Sequence, residues 1–119
     1  MKSKGDRYEA LARQWILGRG MQVLENNYTR KTGEIDIVAI DNGDLVFFEV
    51  RARRNTRFAS AAESIDRRKQ TRILQTAQLF LQSHKQWAHM PCRFDVLTFE
   101  PRQSHAESTI RWIRAAFTT

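Results

Sequence analysis

Sulfur chemistry is almost absent from this chain: its one cysteine, Cys92, permits no internal disulfide and fits a reducing compartment. Long apolar runs are absent too. No stretch approaches the roughly 18 consecutive apolar residues of a membrane span, and the N-terminal MKSKGDRYEALA lacks the apolar centre of a signal peptide. A cytoplasmic protein with no membrane partner is therefore expected. Two prolines and five glycines are too few for a low-complexity chain, and 41% hydrophobic residues are too many for a disordered one. A length of 119 residues suits one domain spanning 1–119, with a single real core. Three histidines, His84, His89 and His105, show no metal-ligand spacing and read as surface residues.

Acid is scarcer than base, with 13 Asp and Glu against 20 Lys and Arg, a net charge of +7. Such a balance makes a polyanion the expected partner. The excess is concentrated: Arg51, Arg53, Arg54, Arg57, Arg67, Arg68, Lys69 and Arg72 face only Glu63 and Asp66 within residues 51–72. A charge run is usually a solvated face. Beside a cation site, however, basic groups that track phosphates suit a phosphodiester substrate.

Carboxylates stand where buried strands should have none, in GEIDIVAIDNGDLVFFEVRAR, residues 33–53. Two apolar runs joined by Asn42-Gly43 predict a hairpin, because a type I′ turn needs positive φ at both central positions. With those two residues as the loop, Asp36 falls opposite Glu49 and Glu34 opposite Arg51. Alternation then places three carboxylates and a guanidinium on one patch of sheet. Directly opposed Cβ atoms are about 4.5–5.5 Å apart, where like charges destabilise a sheet unless something compensates them. A divalent cation such as Mg²⁺, which takes oxygen ligands, is one compensator. The plainer one is Arg51 neutralising Glu34 or Glu49, with Asp36 at a solvated strand end. A longer loop or a bulge would shift this register and turn a carboxylate to the other face.

Periodicity places a first helix over about Asp6 to Leu17, with Asp6 near its cap and Tyr8, Leu11, Ala12 and Trp15 at core spacing. Gly18 and Gly20 end it, and a strand follows over about Met21 to Tyr28. After a polar loop at Arg54 to Ser64, Asp66 caps a helix over about Arg67 to His84, with a stripe of Ile73, Leu74, Ala77, Phe80 and Leu81. Lys69 lies on that buried face, where its ammonium either snorkels to water or serves a site. CRFDVLTFE and STIRWIRAAF read as two further strands around a turn at Pro101 to Glu107. The order helix, three strands, helix, two strands predicts an α/β fold, a mixed sheet of about five strands with helices packed on it. The second helix would serve as the crossover to a parallel strand.

An acid on one strand followed by Glu-x-Lys on its neighbour is the pattern of the restriction-endonuclease-like nucleases, the PD-(D/E)xK superfamily. Asp36 and Glu49-Val50-Arg51 stand at those positions. GEIDIVA, FFEV and RFDV, together with RKQTRILQTAQLFL, resemble the YraN-like family of small bacterial proteins over nearly the whole chain. That resemblance implies a restriction-endonuclease-like core, similar to archaeal Holliday-junction resolvases. It further implies Mg²⁺, or Mn²⁺, held by Asp36 and Glu49, with Glu34 as a helper. Glu9 matches a first-helix glutamate that completes the metal shell in related resolvases, although ordinary helix solvation explains it equally well.

One departure matters. Arg51 stands where the pattern has lysine, and arginine stays charged and cannot act as a general base. Three outcomes are open: Arg51 stabilises developing charge, Lys69 supplies the missing ammonium, or hydrolysis is lost. The leading expectation is a Mg²⁺-dependent endonuclease acting on DNA, branched or otherwise structured forms included. In it Asp36, Glu49, Arg51 and Lys69 are catalytic, while Arg53, Arg54, Arg57, Arg67, Arg68 and Arg72 contact phosphates. Junction cleavage would make a homodimer natural, since two strands are cut symmetrically. The alternatives are a catalytically silent nucleic-acid-binding protein and a module whose basic face meets an acidic protein.

Overall fold

The computed structural model describes residues 4–52, 65–100 and 109–117. Helix α1 (Lys4–Gly18) precedes three strands, β1 (Gln22–Arg30), β2 (Gly33–Asp41) and β3 (Asp44–Ala52). Helix α2 (Arg67–Ser83), a 3₁₀ turn (Lys85–Trp87) and strands β4 (Cys92–Glu100) and β5 (Thr109–Phe117) follow. The strands form one mixed sheet in the order β1-β2-β3-β4-β5, with β3 and β4 parallel and the other neighbours antiparallel. The expected element order and the parallel pair across the α2 crossover are both present.

β3 is the strand that explains the layering. DLVFFEVRA is nearly continuous in apolar residues because it is covered on both faces. Leu45 and Phe47 join Ile73, Ala77 and Phe80 of α2 in one core, whereas Val46 and Phe48 join Ala12 and Ile16 of α1 in the other. The Asn42-Gly43 turn has φ of 48° and 88°, the positive pair a type I′ turn requires. Asp66 caps α2 as expected, its carboxylate accepting from the Lys69 amide at 2.8 Å. Gly33, at φ 150°, lies where an added Cβ would come 3.4 Å from the Arg72 Cβ, and a 2.6 Å bond joins the Thr32 and Thr76 hydroxyls. The α2 N-terminal half is thereby seated over the start of β2.

Several expectations need correction. Leu11 is exposed and Ile16 takes its place in the core, because the buried stripe of α1 is centred on Ala12 and Ile16. His84 is not a plain surface residue: it stacks on Phe80 at 4.1 Å between ring centroids, and its Nδ1 bonds the Phe80 carbonyl. His89 is exposed, as read. The loop at Arg54 to Ser64, the turn at Pro101 to Glu107 and His105 lie outside the described residues, as does the side chain of Asp6. Among the described residues no helix is long and apolar enough to cross a membrane.

A polar network ties β2, β3, β4 and β5 together near the hairpin end. Arg93 donates to Asp41 at 2.6 Å, Asp44 at 2.8 Å and Asp95 at 3.1 Å. Asp95 is fully buried and also accepts from the Trp112 indole at 2.8 Å and the Ala115 amide at 2.9 Å. Ala115 has φ of 48°, and the β4–β5 register shifts between Phe94 and Val96. The carboxylate thus satisfies the backbone that this irregularity takes out of the ladder.

Candidate functional site

The acids are gathered by a reversal in β2. Ile35 packs in the α2-side core but Ile37, two residues on, packs in the α1-side core, although a regular strand puts both on one face. The β1–β2 ladder pairs Asn26 with Ile37 and Tyr28 with Ile35, passing over Asn27 and Asp36. Asn27 has φ of 52°, in the left-handed region. One irregular residue on each strand therefore turns the pair over. Asp36 sits at the turning point.

Its consequence reaches the neighbouring strand. The β2–β3 register runs as expected from Asp41↔Asp44 to Ile37↔Phe48 and ends there. The Val50 amide instead donates to the Asp36 carboxylate at 2.8 Å. Where the ladder opens, a cleft of about 310 Å³ forms between the two strands and α2, lined by Glu34, Asp36, Glu49, Arg68, Lys69 and Arg72 among others.

Charge is divided across this cleft. Carboxylate oxygens of Glu9 on α1 and of Glu34 and Asp36 on β2 lie within 4.8 Å of one another. Glu49 stands apart from that trio, its side chain 7% exposed, with Oε1 at 2.9 Å from the Lys69 ammonium. Glu49 Oε2 is buried and has no hydrogen-bond partner among the described residues. An oxygen-only donor set of crowded carboxylates, one with a buried vacant lone pair, matches what hard divalent cations bind. Of these, Glu9, Glu34 and Asp36 lie close enough together to share one such ion, and Glu49 is outside that group.

The same crowding acts on protons. Burial, then the Glu49 charge, then those of Glu9 and Glu34 push the Asp36 pKa up to about 8, against the opposing Val50 hydrogen bond. A group whose folded pKa is raised keeps its full contribution to stability below its unfolded value of 3.8 and loses it as pH rises through about 8. Asp36→Asn, whose amide oxygen can still accept from Val50, is therefore expected to melt several degrees above the wild type at pH 9 without divalent ions. At pH 4 the two should melt together. Scanning calorimetry in chelator checks this, and a difference independent of pH would contradict it.

Glu34 does not face Arg51, because the strands part before that row and the reversal swings Glu34 toward Glu9. Nor does Arg51 line the cleft: its Nε is 3.9 Å from Glu49 Oε1 and has no hydrogen-bond partner among the described residues. The ammonium of Lys69 occupies the cleft wall instead. Arg68 and Arg72 line the cleft, whereas Arg67 is exposed on the same helix off the wall, and Arg53, Arg54 and Arg57 lie outside the described residues. Asn27 escaped the sequence reading. Its signal was Asn26-Asn27 inside a strand, two residues depleted in sheets.

A mixed sheet with helices on both faces, opened at one strand pair to admit acids, defines an α/β protein compatible with a restriction-endonuclease-like core. The chain belongs to the family described as "Uncharacterised protein family UPF0102", which residues 8–99 match and which is the YraN-like family. That span contains all four site acids and Lys69. The chain is 45% identical to a UPF0102 protein of Stutzerimonas stutzeri (strain A1501), over 98% of this chain and 95% of that protein. It is 42% identical to one from Pseudomonas savastanoi pv. phaseolicola, over 95% and 91%. Against the UPF0102 protein PSPA7_4996 of Pseudomonas paraeruginosa the identity is 40%, over 98% and 93%.

Proposed function

We propose that this chain is a divalent-cation-dependent endonuclease that hydrolyses DNA phosphodiester bonds, structured or branched DNA included. The observation that carries the reading is the cleft itself, with acids on one wall and the basic first turns of α2 on the other. Asp36 and Glu49, with Glu34 and Glu9, would hold Mg²⁺ or Mn²⁺. Once bound, such an ion supplies charge neutralisation at the phosphate and a water of lowered pKa.

The remaining work falls to side chains. Lys69, held at 2.9 Å by Glu49, would donate to a phosphate oxygen in the cleft and orient a water. Arg51 sits behind Glu49, where a permanent cation steadies that carboxylate and adds positive potential to the site. Arg68 and Arg72 would reach flanking phosphates, Arg67 extends the basic surface, and the N-terminus of α2 adds its dipole. Arg53, Arg54 and Arg57 follow Arg51 in sequence and extend the same charge.

Purified protein is expected to cleave duplex, single-stranded or four-way-junction DNA in Mg²⁺ or Mn²⁺, and Lys69→Met to lower the rate by about 10²–10³-fold. Arg51→Lys should cleave at least as well as the wild type. The arginine at position 51 favours one rival, a nucleic-acid-binding protein without turnover. Salt-sensitive binding with cleavage only after Arg51→Lys would establish that rival, and no cleavage by either protein would overturn the endonuclease reading.

A further inference from the structure

Asn27 lies in the middle of β1, yet its backbone leaves the extended region for φ 52°, a departure most side chains resist and asparagine tolerates. That turn takes Asn27 out of the ladder beside Asp36, which is passed over on the facing strand. The residue is exposed, yet its side chain reaches two neighbouring acids. With the amide oriented to satisfy its neighbours, the nitrogen donates to Glu34 Oε1 at 3.1 Å and to Glu9 Oε1. One amide therefore bridges two carboxylates that come from different elements, α1 and β2.

Two acids brought together in this way repel each other unless something between them donates. A second observation points the same way: Glu49 Oε2, on the cleft wall with Glu34 and Asp36, is buried and has no hydrogen-bond partner among the described residues, an acceptor that a bound ion would satisfy. We propose that Asn27 is a positioning residue of the cation site, its amide holding the Glu9 and Glu34 carboxylates at the spacing at which they share one hard cation with Asp36. The left-handed backbone is what aims the amide there. This inference rests on the reading that these acids bind a divalent ion, and it assigns the second layer that orients them. Groups of that kind typically alter metal affinity about 10–100-fold when removed.

Asn27→Gly separates the two roles this residue could have, because glycine adopts φ 52° freely and deletes only the amide. The full chain is titrated with Mn²⁺ alone, free ion being read by electron paramagnetic resonance, and thermal melts are recorded with and without Mn²⁺. Asn27→Gly is expected to bind Mn²⁺ about 10-fold or more weakly than the wild type, and to melt lower without it. If Asn27 only shapes the strand, Asn27→Gly binds Mn²⁺ like the wild type and melts at the same temperature or higher, which overturns the inference. Should the glycine variant fail to fold, Asn27→Asp keeps the shape and the tolerance of positive φ but replaces the donor with a fourth neighbouring charge. It is expected to melt below the wild type without Mn²⁺ and to gain more from the ion. Melts matching the wild type in both conditions would overturn the inference. Wild-type protein that takes up no Mn²⁺ at millimolar concentration overturns instead the cation reading beneath it.

Discussion

Asp36→Ala is expected to lower divalent-dependent DNA cleavage by about 10³-fold or more, the several kcal/mol of transition-state stabilisation that a bound cation supplies. Asp36 is the one acid that faces both parts of the site. It shares a 4.8 Å cluster with Glu9 and Glu34, and it feels the Glu49 charge from across the parted strands. The alanine variant also leaves the Val50 amide without its acceptor, at a cost of about 1–3 kcal/mol. Asp36→Asn is the cleaner probe, because it preserves that bond while removing the charge. Its cleavage should fall as far as that of the alanine variant even though its metal-free fold is firmer near pH 9. Glu49→Gln should behave alike in cleavage. DNA affinity without divalent ions should stay within a few-fold of the wild type for all three, since phosphate contacts come from the arginines and Lys69. Rates are measured on a labelled DNA substrate under single-turnover conditions, and wild-type cleavage by Asp36→Asn would sink the assignment.

Asp95→Ala should have the largest effect on stability, about 3–5 kcal/mol, because it removes the buried carboxylate at the centre of a charged network. Asp95 is fully buried and holds three donors: Arg93, the Trp112 indole and the Ala115 amide. Without it the indole and the amide lose their acceptor, and Ala115 keeps a left-handed φ of 48° with nothing to stabilise it. Total stabilities of about 5–15 kcal/mol leave little margin for such a loss. Asp44→Ala is the contrast. Asp44 also binds Arg93, but its side chain is 39% exposed, and the expected cost is under about 1 kcal/mol. Urea denaturation followed by circular dichroism compares the two, and equal midpoints would contradict this account.

Much of the architecture was legible because it follows from local chemistry. Asn42-Gly43 dictates the turn, the uninterrupted LVFF of β3 marks a strand covered on both faces, and Asp66 announces the start of α2. The same register arithmetic put Asp36 opposite Glu49; both line one cleft, but the ladder ends one pair short of them and the Val50 amide donates to the Asp36 carboxylate instead. What periodicity does not carry is where a strand changes face. EIDI alternates faultlessly, and simple alternation puts Ile35 and Ile37 together. They separate because Asn27, on a different strand, breaks the ladder at the level of Asp36. The position of Lys69 was likewise underdetermined, because a lysine at the end of a core stripe has two outcomes and only the approach of Glu49 chooses between them. Asp95 gave no sign at all: a single acid within RFDVLTF looks like any solvent-facing strand residue until Trp112 and Ala115 arrive from β5.

The division of charge between α2 and the earlier elements also bears on the order in which the chain assembles. Glu9, Glu34, Asp36 and Glu49 all precede residue 50, on a helix and two tight hairpins, whereas Lys69 comes later in the chain, on the helix that precedes β4. Short loops close at less entropic cost than long ones, so local pairings are favoured early. The crowded acids are thus expected to meet before Lys69 is in reach, with only Arg51 and the Asn27 amide to ease their repulsion. In this protein the requirements of the finished cleft oppose the first steps toward it, and the closing of α2 over the sheet is what reconciles them.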